Sequence, residues 1–166
     1  MGCIDPAYLA PCFGFNKDEV QALASQYNAS MENLKMWYDG YTIGSVKSIY
    51  NPYSVMKALQ RGACKSYWTT TGAYDSVITY IQMNYDGLKD DIIRMLSGEH
   101  VYVNTSKFQN DMHIVRSKND VLTVLIHLGY LAYDGEAQEC YIPNKEVRDL
   151  MTCVCEVAFG YRHRPD

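Results

Sequence analysis

The sequence predicts a mainly helical α+β chain with one small β-hairpin near its end. Three observations predict it. Apolar residues recur at helical spacing in successive stretches between residues 16 and 154, most opened by Asn, Ser or Asp and several closed by Gly. Tyr130–Asp134 and Glu139–Ile142 flank a turn containing Gly135, which is a hairpin signal. The stretch Trp37 to Pro52, dense in aromatics and glycine, lies between two helical patterns and ends in an Asn-Pro helix start.

Taken in order, Asp5-Pro6 to Gly14 reads as an irregular lead-in. Asn16, with Glu19 three residues on, makes a start resembling a capping box. Val20, Leu23, Ala24 and Tyr27 then fall on one helical face. Ser30 caps a second short helix whose face carries Met31, Leu34, Lys35 and Tyr38. In the aromatic stretch, Trp37, Tyr38 and Tyr41 surround an Asp39-Gly40 turn signal, and Gly44-Ser45 gives a second turn. A loop this aromatic cannot sit freely in water at low cost, because each ring carries a large apolar area. It reads as a packed connector, either a staple between helices or a loop that also touches a ligand or a neighbouring domain.

Asn51 as cap and Pro52 as first helical residue open a third helix with Val55, Met56 and Leu59 inward and Gly62 as its stop. Ser66 to Gly72 reads as extended or loop. A helix from Tyr74 carries Val77, Ile78, Ile81 and Tyr85 and breaks at Asp86-Gly87. Leu88 to Leu96 is another, with Ile92, Ile93 and Leu96 inward and a stop at Ser97-Gly98. His100 to Val103 favours a strand. A helix from Asn119 or Asp120 runs through Val121, Leu122, Leu125 and Leu128 to Gly129. After the hairpin, Pro143-Asn144 opens a last helix with Val147, Leu150, Met151 and Val154. Helix, hairpin, helix is the order of a winged-helix-like unit. The polar stretch from Lys107 to Asp120 is a soft boundary, giving a helical part over 1–106 and the winged-helix-like unit over 107–166.

Composition narrows the classes. At 166 residues, 48% apolar and 20% charged, the chain suits one good core or two small ones. A net charge of -4 gives no general basic field for nucleic acid or an anionic membrane. The 15 tyrosines suggest apolar surfaces with polar tips. No apolar run approaches the length of a membrane span, and MGCIDPAYLAPCF lacks the basic start and apolar centre of a signal peptide. Six cysteines without a CxxC pair fit a reduced, cytoplasmic chain. Cys153 and Cys155, one residue apart on a helix, read as one thiol at the surface and one in the core.

The aromatic stretch also carries a resemblance. WYDGY, a short glycine turn and then YNPYSV look like the signature of the bacterial AAA-ATPase-like proteins, with Trp37, Tyr38, Asp39, Gly40, Tyr41, Asn51 and Pro52 as its residues. FGFNKDEV (Phe13 to Val20) resembles the entry to the family's first helix there. YWTTTG, with Trp68, resembles its tyrosine-tryptophan segment, and LGYLAYDG followed by YIPNKEVRDL its closing hairpin and helix. Thr42-Ile43 departs from the basic residue and Phe more usual in that family, and the tail ending FGYRHRPD has no counterpart in its pattern. In that family a P-loop ATPase core comes first and a PD-(D/E)xK nuclease-like domain often follows. The resemblance therefore implies the part between them: a helical lid-like subdomain, then the winged-helix-like module. It implies ATP and Mg for the parent protein, none held by this chain, and a P-loop core and nuclease-like domain as partners. Lys47, Arg61 and Lys65 are the candidates for a basic residue lent to phosphates.

Direct chemistry is sparse. There is no GxxxxGK[ST], GxGxxG or HExxH, which excludes a self-contained ATPase. Glu139, Glu146 and Asp149 show no D…[DE]xK spacing on adjacent strands, which excludes a self-contained nuclease. His100, His113, His127 and His163 have no metal-like spacing, and His127 reads as packed or half-exposed. Asp90-Asp91 reads as a solvated face, and Asp18-Glu19 as favourable charge at a helix start. Three functions follow: a non-catalytic lid of a P-loop ATPase, a protein–protein scaffold using tyrosines as anchors, or a DNA-binding winged helix. The last would rest on Arg116, Lys118, Lys145 and Arg148, but the hairpin tip Asp134-Gly135-Glu136 is acidic and would repel phosphate. Self-association stays open.

Overall fold

The computed structural model describes residues 14–67, 73–105 and 115–160. It is a mixed α+β fold, mainly helical, with two small antiparallel sheets. Local signals place its first elements. Helix α1, Lys17–Tyr27, starts where the Asn16 side chain accepts the Glu19 amide at 2.8 Å and donates to the Glu19 carboxylate at 3.1 Å. Val20 and Ala24 face inward, but Tyr27 is 43% exposed. It stands on the last turn, where Asn28 leaves the helix in the left-handed conformation. Helix α2, Met31–Tyr38, begins at Ser30, whose side chain accepts the Asn33 amide, and buries Leu34 and Tyr38.

The aromatic stretch contains a β-hairpin that its short length hid from periodicity. Strand β1, Tyr41–Ile43, pairs antiparallel with β2, Val46–Ile49, setting Tyr41 opposite Ile49 and Ile43 opposite Val46. Phe15 and Tyr50 exchange backbone hydrogen bonds of 3.1 and 2.8 Å just beyond β2. Helix α3, Pro52–Arg61, follows its Asn51 cap and stops at Gly62. It buries Ser54, Val55, Ala58 and Leu59, so the inward stripe is turned from Met56 toward Ser54.

Helix α4, Ala73–Gln82, ends before a short 3-10 turn at Tyr85–Gly87, and α5 occupies Leu88–Leu96. In α5 the buried apolar residues are Leu88, Ile92 and Met95, while Ile93 and Leu96 are half-buried. The reading of Asp90-Asp91 as a solvated face holds for Asp90 only. Asp91 is buried and its carboxylate lies 2.8 Å from the Lys118 ammonium. The partner arrives from a separate helix, and nothing in the sequence around Asp91 announces that pairing.

Strand β3, Val101–Tyr102, precedes helix α6, Lys118–His127. Ser117 caps α6 by accepting the Asp120 amide at 3.2 Å, just ahead of the Asn119 or Asp120 start. Asp120 instead accepts the Arg116 amide at 3.0 Å. Strands β4, Ala132–Asp134, and β5, Glu139–Tyr141, form the expected hairpin, and helix α7 runs Lys145–Phe159. Strand β3 joins the hairpin along β5, giving the order β3-β5-β4 with Val101 and Tyr133 both opposite Cys140.

Buried side chains form two clusters. The first joins α1, α2 and α3 through Val20, Leu34, Tyr38, Tyr50, Val55 and Tyr67. The second joins α4, α5, α6, the three-stranded sheet and α7 through residues including Ile81, Ile92, Leu125, Leu131, Leu150 and Val154. Helices α4 and α5 precede the Lys107–Asp120 stretch in sequence, yet their buried faces belong to the second cluster. Cys155 is buried and Cys153 exposed, as their spacing on α7 predicts.

Candidate functional site

The two clusters meet where the aromatic stretch lies against the β4–β5 hairpin and the start of α7. Asp39 ends α2, and its buried carboxylate accepts the Gly40 amide at 2.6 Å and the Ser48 hydroxyl at 2.9 Å. Its carbonyl accepts Nδ2 of Asn144 at 2.8 Å, while Oδ1 of Asn144 caps α7 through the Val147 amide. Gly40 takes φ 104°, and a Cβ there would collide with the carbonyl of Pro143. The Tyr41 hydroxyl donates to the Gly129 carbonyl at 2.8 Å, and the Tyr141 hydroxyl donates to the Gly40 carbonyl at 3.1 Å. Thr42 and Tyr141 hydroxyls lie 2.9 Å apart. Every residue from Asp39 to Thr42 thus holds something about a hundred positions away.

Beside this seam opens a mainly apolar groove of about 600 Å³. One wall is β1, the end of β2 and the Asn51-Pro52 start of α3, with Ile43 and Ile49. The other is the end of α6 and the start of β4, with Ile126, Leu131 and Tyr133.

The remaining candidate residues are placed as follows. Trp37 is half-buried under the Lys145 ammonium, 4.9 Å from its ring centre. Tyr38 is buried, and its hydroxyl donates to the Lys65 carbonyl at 2.8 Å and accepts the Lys65 amide at 3.0 Å. Burial raises the Tyr38 and Tyr41 hydroxyls well above the usual tyrosine range, so both stay protonated. Asn51 caps α3 and Pro52 is its first residue. Trp68 lies outside the described residues, as do Cys3, Cys12, His113 and His163.

Of the three candidate basic residues, Arg61 and Lys65 are both brought to Tyr67. The Lys65 ammonium stands 5.5 Å from the Tyr67 ring centre, and the Arg61 charge offsets part of the burial that raises the Tyr67 hydroxyl. Lys47 is exposed on a different element, β2. None of the three forms an ion pair among the described residues.

Sequence reasoning weighed Glu146 only as a nuclease-type carboxylate, and set it aside on spacing. This residue stands on the first turn of α7 with no exposed surface. Its Oε2 accepts the Ser54 hydroxyl at 2.8 Å and the Tyr67 amide at 3.0 Å, and its Oε1 is buried without a partner. Burial pushes the carboxyl up to about 7, against the two hydrogen bonds that favour the ionised form. One signal could have found it: Glu146 stands four and eight residues before Leu150 and Val154, on the inward stripe.

Among the described residues no group of three or more His, Cys, Asp or Glu is arranged to hold a metal ion, and no helix is long and apolar enough to cross a membrane. No protein-family model, curated protein or solved structure matches this chain.

Proposed function

We propose that this chain is a non-catalytic, lid-like and winged-helix-like portion of an AAA-ATPase-like protein, coupling to a P-loop core that it does not itself contain. The apolar groove between β1–β2 and the α6–β4 turn carries the reading. A lid-like subdomain should present apolar surface where its catalytic neighbour docks, and Tyr41, Tyr50, Pro52, Leu131 and Tyr133 of the resembling segments are part of this groove's lining. The winged-helix-like assignment draws support from the three-stranded order β3-β5-β4 flanked by α5, α6 and α7. The parent would supply ATP, Mg and the phosphate-binding loop, and this chain one cation from Arg61, Lys65 or Lys47. Localisation in the cytoplasm and a nuclease-like neighbour belong to the same proposal. The large exposed tyrosines, Tyr27, Tyr53 and Tyr102, sit on three separate elements, so a tyrosine-anchored scaffold gains no observation of its own.

Calorimetry with a non-hydrolysable ATP analogue tests the reading, on this chain and on a longer protein carrying the upstream core. Binding by the longer protein alone, weakened about tenfold by Arg61→Ala or Lys65→Ala, is expected for a charge contact to phosphate. Binding by the short chain, or none by either, would overturn it.

A further inference from the structure

Glu146 joins the two clusters through a contact that no local rule requires. Its carboxylate sits at the start of α7, next to Val147 of the second cluster, and receives the Ser54 hydroxyl and the Tyr67 amide from the first. Both donors converge on Oε2, which leaves Oε1 buried and unpartnered. An ionised carboxylate in that position would carry its charge out of water with half its acceptor capacity unused, which is costly.

Among the described residues no cation pairs with Glu146. Tyr38 from α2, Tyr41 from β1 and Tyr67 from the segment after α3 sense the carboxylate, and burial holds all three hydroxyls protonated. Of the cations on the packed elements, the Lys65 ammonium lies over Tyr67 and the Lys57 ammonium over Tyr53, while Lys35 on α2, Arg61 at the end of α3 and Arg148 on α7 are exposed. On α7, the Lys145 ammonium is 3.3 Å from Asp149 and over Trp37. On α5, Arg94 pairs with Glu99, Asp91 with Lys118, and Lys89 lies over Phe159. None of these ion pairs includes Glu146.

We propose that Glu146 is a proton-controlled latch that closes the seam between the two clusters when protonated and loosens it when ionised. The protonated acid keeps Oε2 as acceptor for Ser54 and Tyr67 and places its proton on Oε1, so no net charge is buried. Loss of the proton to solvent leaves a buried anion, and the structure relieves it by letting α3 and the Tyr67 segment part from α7. The geometry is independent of the parent-ATPase reading, and would operate in the chain alone.

Hydrogen exchange of the Tyr67 amide, followed as a protection factor between pH 5.5 and 8.5, reads the latch directly. The wild-type protection is expected to fall by about tenfold or more across pH 7, while amides of α6 in the second cluster hold theirs. Glu146→Gln, a neutral isostere, should show no such fall. Ser54→Ala removes one bond that favours the ionised form, so the midpoint should move to higher pH. A flat wild-type profile, or the same fall in Glu146→Gln, would overturn the proposal. If Glu146→Gln does not fold, the Ser54→Ala shift decides, and an unmoved midpoint rejects the latch.

Discussion

Asn144 donates from Nδ2 to the Asp39 carbonyl at 2.8 Å while its Oδ1 accepts the Val147 amide at 3.1 Å. One side chain therefore begins α7 and fastens it to the end of α2, 105 positions away in sequence. Its two roles can be separated. Asn144→Ala should cost ~2–3 kcal/mol in chemical denaturation, combining a lost cap with a buried carbonyl left bare. Asn144→Ser retains a capping oxygen but cannot reach Asp39, so it should recover about 1 kcal/mol of that. Equal losses in the two variants would mean that the cap contributes nothing and that the whole loss lies in the bridge to Asp39.

Gly40 is required by approach as well as by conformation. It takes φ 104° directly against the Pro143 backbone, whereas Gly62 takes φ 68° with open space around its missing Cβ. Gly62→Ala should therefore cost only the conformational strain, about 1 kcal/mol. Gly40→Ala must also push the β4–β5 connection to α7 away, and should cost at least ~2–3 kcal/mol. Thermal unfolding of the pair checks this, and comparable midpoints would show that the seam yields freely.

The Glu146 carboxyl gives stability a pH dependence of known sign. Burial raises it from 4.5 to about 7. Between those values the folded chain holds a proton that the unfolded chain has released. Its favourable contribution is thus complete below about pH 4.5 and declines as pH rises, levelling off above about pH 7. At about 1.4 kcal/mol per unit the change amounts to ~3 kcal/mol. Urea denaturation of the wild type and Glu146→Gln, as a difference across pH 5 to 8, should isolate it. A difference that stays constant across that range would contradict the prediction.

Asp91 and Lys118 form a half-sheltered ion pair between α5 and α6. The carboxylate side chain is 11% exposed and the lysine 32%. Solvent on the lysine side limits its strength, so a double-mutant cycle of Asp91→Ala and Lys118→Met should give a coupling of about 1 kcal/mol. Asp91→Ala alone should cost somewhat more, because Arg94 at 3.6 Å loses the same partner. A coupling indistinguishable from zero would assign Asp91 to packing alone.

Where the relevant physics is local, the chain announces its structure. Asn16, Ser30, Asn51 and Asn144 mark helix starts because a cap is a bond between residues two or three apart. The β4–β5 hairpin and the inward stripe of α7 were legible for the same reason, as was the packing of Trp37, Tyr38 and Tyr41. The strands β1 and β2 were not, since three or four residues give too few repeats to distinguish a strand from a connector. The joining of β3 to β5 was equally hidden, because pairing partners carry no local mark.

The candidate site divides along the same line. The amino-acid sequence by itself determined which residues would start helices, turn the chain at Gly40 and bury aromatic rings, all consequences of short-range sterics and hydrophobic spacing. Tertiary structure alone decided that Asp39 faces Asn144, that Asp91 meets Lys118 and that Glu146 is sealed against Ser54 and Tyr67. Those outcomes depend on which elements arrive from as many as 105 positions away. A carboxylate at a helix start reads as solvated charge until a second cluster closes over it and removes the water that would have kept it ionised.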